Sequence, residues 1–222
     1  MGLHRPTFTT ALAAVFAITP AHGATITGLY NTGTDVSGAA LVGGNGVVDP
    51  NYSIVASSDP SVVGNQAVTY NFPYPIAEDG NSRWVSTAAD GNAPASATFR
   101  LSFDLSGFDA TTAIINGSFA ADNNASLFLN GLATGFSVAG FSAFTNFTLS
   151  SGFLSGVNTL DFVVLNAGGP GAFRVDNLEG TADILVTQPP AVPEPGTWAL
   201  MILGFGLVGG ALRRRSVRFA LA

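Results

Sequence analysis

The sequence predicts an all-β domain, a jelly-roll-type antiparallel β-sandwich, set between two apolar ends. Three observations predict it. Short runs rich in β-branched and aromatic residues recur from Thr25 to Val186, punctuated by glycine, proline, asparagine and aspartate. Several runs alternate apolar and polar residues, the two-residue period of a half-buried strand. Over the same stretch Ala, Leu and Glu do not gather at helical spacing.

Taken in order, the predicted strands are Thr25–Tyr30, Tyr52–Ala56, Ala67–Phe72, Arg83–Ser86, Ala97–Asp104, Ala113–Ala121, Ser126–Leu129, Phe144–Leu149, Thr159–Leu165, Phe173–Val175 and Ala182–Val186. Between Thr98 and Leu105 the alternation is clean. Phe99, Leu101, Phe103 and Leu105 fall on one face, and Arg100, Ser102 and Asp104 on the other. Ser126–Leu129 runs into Asn130-Gly131, a dipeptide that signals a two-residue hairpin turn. Gly38–Gly46 and Glu78–Asn81 read as loops. Many short strands with polar turns indicate a sandwich or jelly roll.

Composition narrows the chemistry. The chain has 222 residues, of which 10% are charged, against roughly 25% in ordinary globular domains. There is no cysteine, both histidines (His4 and His22) lie near the N-terminus, and every basic residue is arginine. Residues 24–192 hold three arginines, Arg83, Arg100 and Arg174, against thirteen acids, a net charge of −10. A Ser-His-Asp triad, a cysteine nucleophile, a lysine Schiff base and the usual zinc and copper sites all need side chains this region lacks. Its acidity also argues against nucleic acid. Carboxylate chemistry and hard-cation binding remain open. Roughly 165 residues suffice for one domain with a core, and no disulfide framework supports it.

The ends read as addresses. Arg5 and an apolar stretch from Ala11 to Ile18, followed by the small residues Ala21 and Gly23, predict a signal peptide over residues 1–23, cleaved after Gly23. The β-domain is then 24–187. A proline-rich, stiff spacer follows over 188–197. The apolar run 198–212 is predicted as a transmembrane helix, reaching roughly 22 Å against a bilayer core of about 30 Å. The basic tail 213–222 should stay cytoplasmic.

This C-terminus resembles the PEP-CTERM sorting signal in its Pro-Glu-Pro-x-x-Trp-Ala form. Pro193, Glu194 and Pro195 precede Trp198 and Ala199, then the helix, then Arg213, Arg214 and Arg215. The same kind of tail carries the label of an ice-binding protein C-terminal domain. No regular Thr-x-Thr ladder that would match ice is present. The resemblance implies an exported substrate of an exosortase-type enzyme in a Gram-negative bacterium. It implies delivery through the Sec translocon, a transient inner-membrane anchor, and release to the cell surface or extracellular matrix. It also suggests a link to exopolysaccharide and biofilm.

A second resemblance lies in the middle. Ala121–Gly131, with its Asp-Asn-Asn turn and terminal Asn-Gly, looks like a strand and turn of galactose-binding-like jelly rolls. Gly156-Val157-Asn158-Thr159-Leu160 resembles their entry into a late strand, and Asn166–Arg174 the loop before a final hairpin. The resemblance implies a carbohydrate-binding role, with Asn166 and Arg174 near a ligand site.

Candidate residues follow. Asp122, Asn123 and Asn124 supply adjacent oxygens that suit a structural calcium ion, and turn-stabilising hydrogen bonds explain the same residues. Asp49 and Asp59 carry the same ambiguity. Trp84, the sole tryptophan of the middle region, is a candidate sugar-stacking ring that Tyr52, Tyr70 and Tyr74 would join, with core burial the alternative. Arg174 is a candidate for a ligand hydroxyl or carboxylate, or for pairing with Asp176 or Asp161. No catalytic residue is assigned. The expected function is non-enzymatic carbohydrate binding. The alternatives are a purely structural matrix protein and a glycan hydrolase working through paired carboxylates.

Overall fold

The computed structural model describes residues 23–185 and 195–215. The predicted signal-peptide residues 1–22 with Ala21, the spacer residues 186–194 with Pro193 and Glu194, and residues 216–222 lie outside the described residues. Two units divide the chain near Leu185.

The first unit is a sheet of eleven antiparallel strands: β1 (Ala24–Thr25), β2 (Val48–Ser57), β3 (Gln66–Thr69), β4 (Val85–Ser86), β5 (Ser96–Asp104), β6 (Ile114–Asp122), β7 (Asn124–Leu129), β8 (Leu132–Ala139), β9 (Thr145–Leu149), β10 (Val157–Leu165) and β11 (Ala172–Ala182). Hydrogen bonding follows the order β8-β7-β10-β5-β2-β3-β4-β11-β6-β9, with β1 also paired to β11. The path folds over on itself into a sandwich. Phe162 of β10 packs on Phe119 of β6 at 5.6 Å, Phe147 of β9 at 6.5 Å and Phe173 of β11 at 4.8 Å between ring centres. Phe99 of β5 stacks on Phe173 at 5.3 Å. The alternation read in 98–105 is the cause: Phe99, Leu101, Phe103 and Leu105 are all buried in this core.

The opposite face of β5 carries Thr98, Arg100, Ser102 and Asp104. Arg100 lies across from Asp161 in register and binds both carboxylate oxygens at 2.6 Å. At the β7–β8 corner Asn130 (φ 53°) and Gly131 (φ 79°) both take positive φ, the geometry for which Asn-Gly is suited. Asn158, fully buried, accepts from the Asn130 side chain and from Leu154 N, and donates to Leu154 O and Gly156 O. One asparagine therefore fixes two loops at the same end of the sandwich.

Three strand expectations change. Leu132–Ala139, unassigned from sequence, forms β8. Thr25–Tyr30 shrinks to the two residues of β1. Phe173–Val175 and Ala182–Val186 are not the arms of a final hairpin. One eleven-residue strand, β11, spans most of that interval, with a register shift between Asp176 and Glu179. Asn177 takes φ 54° there, so the polar Asp-Asn-Leu-Glu run makes a bulge rather than a turn.

The second unit is α1 (Pro195–Arg215). Proline at the first helical position suits a helix start. Residues 195–213 are long and apolar enough to cross a membrane. The helix is longer than the predicted 198–212, and its twenty-one residues reach about 30 Å.

Candidate functional site

The outer face of β6 and β11 is not open to water. Residues 70–84 fold over it and form a second, aromatic cluster of Tyr70, Tyr74 and Trp84 on Ala120 and Ala172, with Ile76, Phe141 and Phe144 against it. The segment Tyr70-Asn71-Phe72-Pro73-Tyr74-Pro75 has its φ fixed at two prolines. Tyr74 N donates to Phe72 O at 2.6 Å, a tight turn about Pro73. Tyr70 N donates to Trp84 O at 2.9 Å.

These constraints produce a graded stack of rings. Trp84 is wholly buried, and its indole N–H donates to Ile76 O. Tyr74 lies 4.3 Å from it and 5.4 Å from Phe141. Phe72 lies 5.1 Å from Tyr74 and stacks on Tyr70 at 6.2 Å with 14° between planes. Phe72 is the outermost ring and is 40% exposed.

An open cleft of about 440 Å³ begins at this ring, lined by Tyr70, Phe72, Asp90, Gly91, Asn92, Gly169 and Pro170. Asp90 Oδ1 accepts from Asn92 N at 3.0 Å. Among the described residues, nothing bonds the other Asp90 oxygen or the Asn92 side-chain amide. Gly91 has φ 72°, and a Cβ there would sit 2.2 Å from Tyr70 Cζ. Glycine alone lets the backbone reach the Tyr70 ring. Gly91 O accepts from Gly171 N at 3.0 Å, tying the two cleft-forming loops together. A second groove of about 320 Å³ lies between β8 and β9, with Leu132, Phe136 and Thr148 among its walls.

The three sequence-predicted ligand residues stand behind this cleft. Trp84 presents no face to solvent and supports Tyr74. Arg174 is also wholly buried. Its Nε donates to Ser82 Oγ at 2.8 Å, Nη1 to Ala77 O at 2.6 Å, and Nη2 lies 3.2 Å from Asp79 Oδ1. Phe144 covers the guanidinium at 5.3 Å. Its acid partner is therefore Asp79 rather than Asp176 or Asp161, and its task is to pin the 76–82 segment. Asn166 bonds Ala93 O at 3.1 Å and accepts from Gly168 N, so it braces one cleft loop against the other. Tyr52 is core, beside Phe162 and Phe173. Phe72, Asp90 and Asn92 escaped the sequence reading, although Pro73 and Pro75 around an aromatic were a visible signal of a rigid ring.

Two of the predicted calcium trio, Asp122 and Asn123, have protein partners. Asp122 accepts from the Tyr74 hydroxyl at 3.2 Å. Burial pushes its carboxyl pKa up, opposed by that bond. Burial, reinforced by Asp122, pushes the Tyr74 hydroxyl up as well, so it remains a donor. Asn123 Oδ1 accepts from Ala167 N at 2.6 Å, and Asn124 opens β7, exposed. Asp59 caps a turn of 3₁₀ helix through Ser61 N. Asp49 is buried and accepts from Gly33 N at 2.7 Å and Asn51 N at 2.8 Å.

Comparison with known proteins bears on the other end of the chain. A family model described as the PEP-CTERM protein-sorting motif matches residues 191–215. The chain carries a PEP-CTERM sorting motif. That motif is a substrate signal for exosortase processing, and it marks an exported protein with a transient membrane anchor. Its helical part is α1, with Trp198 in the first turn.

No curated protein matches the chain. Similar solved structures include one titled "CBM4 structure and function", at 15% identity over 48% of this chain and 74% of that one, with a TM-score of 0.32. A CBM35 from Paenibacillus barcinonensis is 18% identical over 57% of this chain and 91% of that one, with a TM-score of 0.32. A PA14 sugar-binding domain from an RTX adhesin is 14% identical over 64% of this chain and 99% of that one, with a TM-score of 0.27.

Proposed function

We propose that this exported PEP-CTERM protein is a non-enzymatic carbohydrate-binding protein of the cell surface or extracellular matrix, and that the Phe72 cleft is its binding site. The observation that carries the reading is Phe72 itself. It is a partly exposed ring held by a buried stack, and it lines one cleft with an unengaged carboxylate oxygen of Asp90 and the unengaged amide of Asn92. A sugar ring offers an apolar face and a rim of hydroxyls, and this pairing of aromatic platform with polar rim complements both. A rigid ring loses little entropy on binding. The cleft volume lies within the range of roughly 300–1,000 Å³ usual for small-molecule sites. A single carboxylate, Asp90, is among the described residues lining it, whereas glycoside hydrolysis commonly uses two.

The test is calorimetric titration of the full chain in detergent with tetrasaccharides of glucose, galactose, mannose and N-acetylglucosamine. At least one should bind saturably, and Phe72→Ala should weaken it about tenfold, the loss of one aromatic contact. Phe72→Tyr should keep most of the affinity. No binding by any glycan, or full affinity in Phe72→Ala, overturns the reading and leaves a structural matrix protein.

A further inference from the structure

We infer that the cleft selects amine-bearing glycans, polymers of amino sugars whose nitrogen is free and protonated, over acidic ones; this rests on the proposed carbohydrate-binding role. The inference starts from the fate of every cation in residues 23–185. Arg83 binds Glu78 at 3.0 Å and the carbonyls of Leu41 and Gly43. Arg100 is clamped on Asp161. Arg174 is buried on Asp79. The region has no lysine, and its histidine count is zero. No unpaired side-chain cation therefore remains among residues 23–185 to receive a uronate or a sulfate.

The cleft has the opposite character. Asp90 stands at its rim with Oδ1 held by Asn92 N and its other oxygen unengaged. Asp90 and Asp122 both act on the Tyr70 hydroxyl, raising its pKa after burial, the larger cause. Of these two carboxylates, Asp90 lines the cleft beside Tyr70, whereas Asp122 is held by the Tyr74 hydroxyl. An ammonium group on a sugar stacked at Phe72 gains a charge-assisted hydrogen bond to Asp90, and the net −10 of the region adds long-range attraction. N-acetylation removes that charge and leaves the sugar ring otherwise available to Phe72.

The experiment titrates the full chain in detergent at pH 6 with three probes: glucosamine tetrasaccharide, its fully N-acetylated counterpart, and galacturonic acid tetrasaccharide. The free amine should bind roughly three- to tenfold more tightly than the acetylated form, the range for one partly exposed charge-assisted contact. The uronate should not bind. Raising salt to 0.5 M should shrink the preference. Asp90→Asn should bring the amine-to-acetyl ratio to about one, while Asp104→Asn, an exposed acid on β5 outside the cleft, should leave it intact. Equal binding of amine and acetylated forms overturns the inference and leaves the carbohydrate-binding reading standing. A preference that survives in Asp90→Asn, or that falls equally in Asp104→Asn, also overturns it. No binding of any probe, joined to failure of the neutral panel, overturns both.

Discussion

Arg174 is the third residue of β11, with all of its guanidinium contacts drawn from residues 77–82 and Phe144. Removing the side chain leaves those acceptors without their donor under the aromatic cluster. Arg174→Ala should cost about 2 kcal/mol in urea denaturation, the scale of leaving buried acceptors without their donor, because its Asp79 partner is itself half exposed, and should weaken sugar binding by loosening the 70–84 segment. A loss below about 1 kcal/mol would show that the segment holds itself. Asp49 makes a different claim. Burial raises its carboxyl pKa to about 6, against the lowering effect of its backbone hydrogen bonds. The folded state therefore holds this proton more tightly than the unfolded chain, whose carboxyl titrates near 4. That stabilisation is present at pH 4 and is lost as pH rises through 6, by roughly 3 kcal/mol if Asp49 acts alone. Thermal melts of wild type and Asp49→Asn between pH 4 and 7 should show the wild type losing stability relative to the variant as pH rises. Parallel curves would refute the assignment. Residue type alone left two fates open for Trp84 and Arg174, ligand contact or burial, and could not choose between them. Their burial depends on the fifteen residues 70–84 folding back over β6 and β11, and no local pattern encodes that return.

At the scale of elements, patterning worked where one face meets the core and the other meets water. β5 was legible from four alternating apolar residues, and the β7–β8 turn from Asn-Gly. β8 was not, because Leu132-Ala133-Thr134-Gly135 is exposed or half-buried on both faces and lies at the end of the sheet. β11 was split in the reading because its first five residues are buried on both faces, its later ones alternate, and its bulge carries turn-like residues. The cleft loops were harder still: Ala88–Ala93 and Asn166–Gly171 meet through Gly91 O and Asn166, partners more than seventy residues apart. Gly91→Ala should therefore cost binding before it costs fold. Its methyl would collide with Tyr70, so sugar affinity should fall at least tenfold while the circular dichroism of the sheet is kept. Unchanged affinity would remove Tyr70 from the site.

Across the whole molecule, the most legible feature was the sorting tail, because a linear motif needs no tertiary partner. The sandwich was legible as a class, and its strand order was not. Replacing Pro193, Glu194 and Pro195 with alanine should leave the chain unprocessed, read as retention of the full-length mass in the membrane fraction of cells that make exosortase. Normal processing of that variant would place recognition elsewhere in the tail. The strand order carries one more consequence. β11 is the last strand made, yet it lies inside the sheet, bonded to β4, β6 and β1 at once. A chain threaded N-terminus first across a membrane cannot close this sheet until residue 182 has crossed, because its middle is vacant until then. Closure must wait on contacts distant in sequence, which slows it. The sandwich is therefore a structure finished from its C-terminal side: whatever precedes β11 waits with an open seam, and a chain cut short before residue 172 would carry that seam permanently.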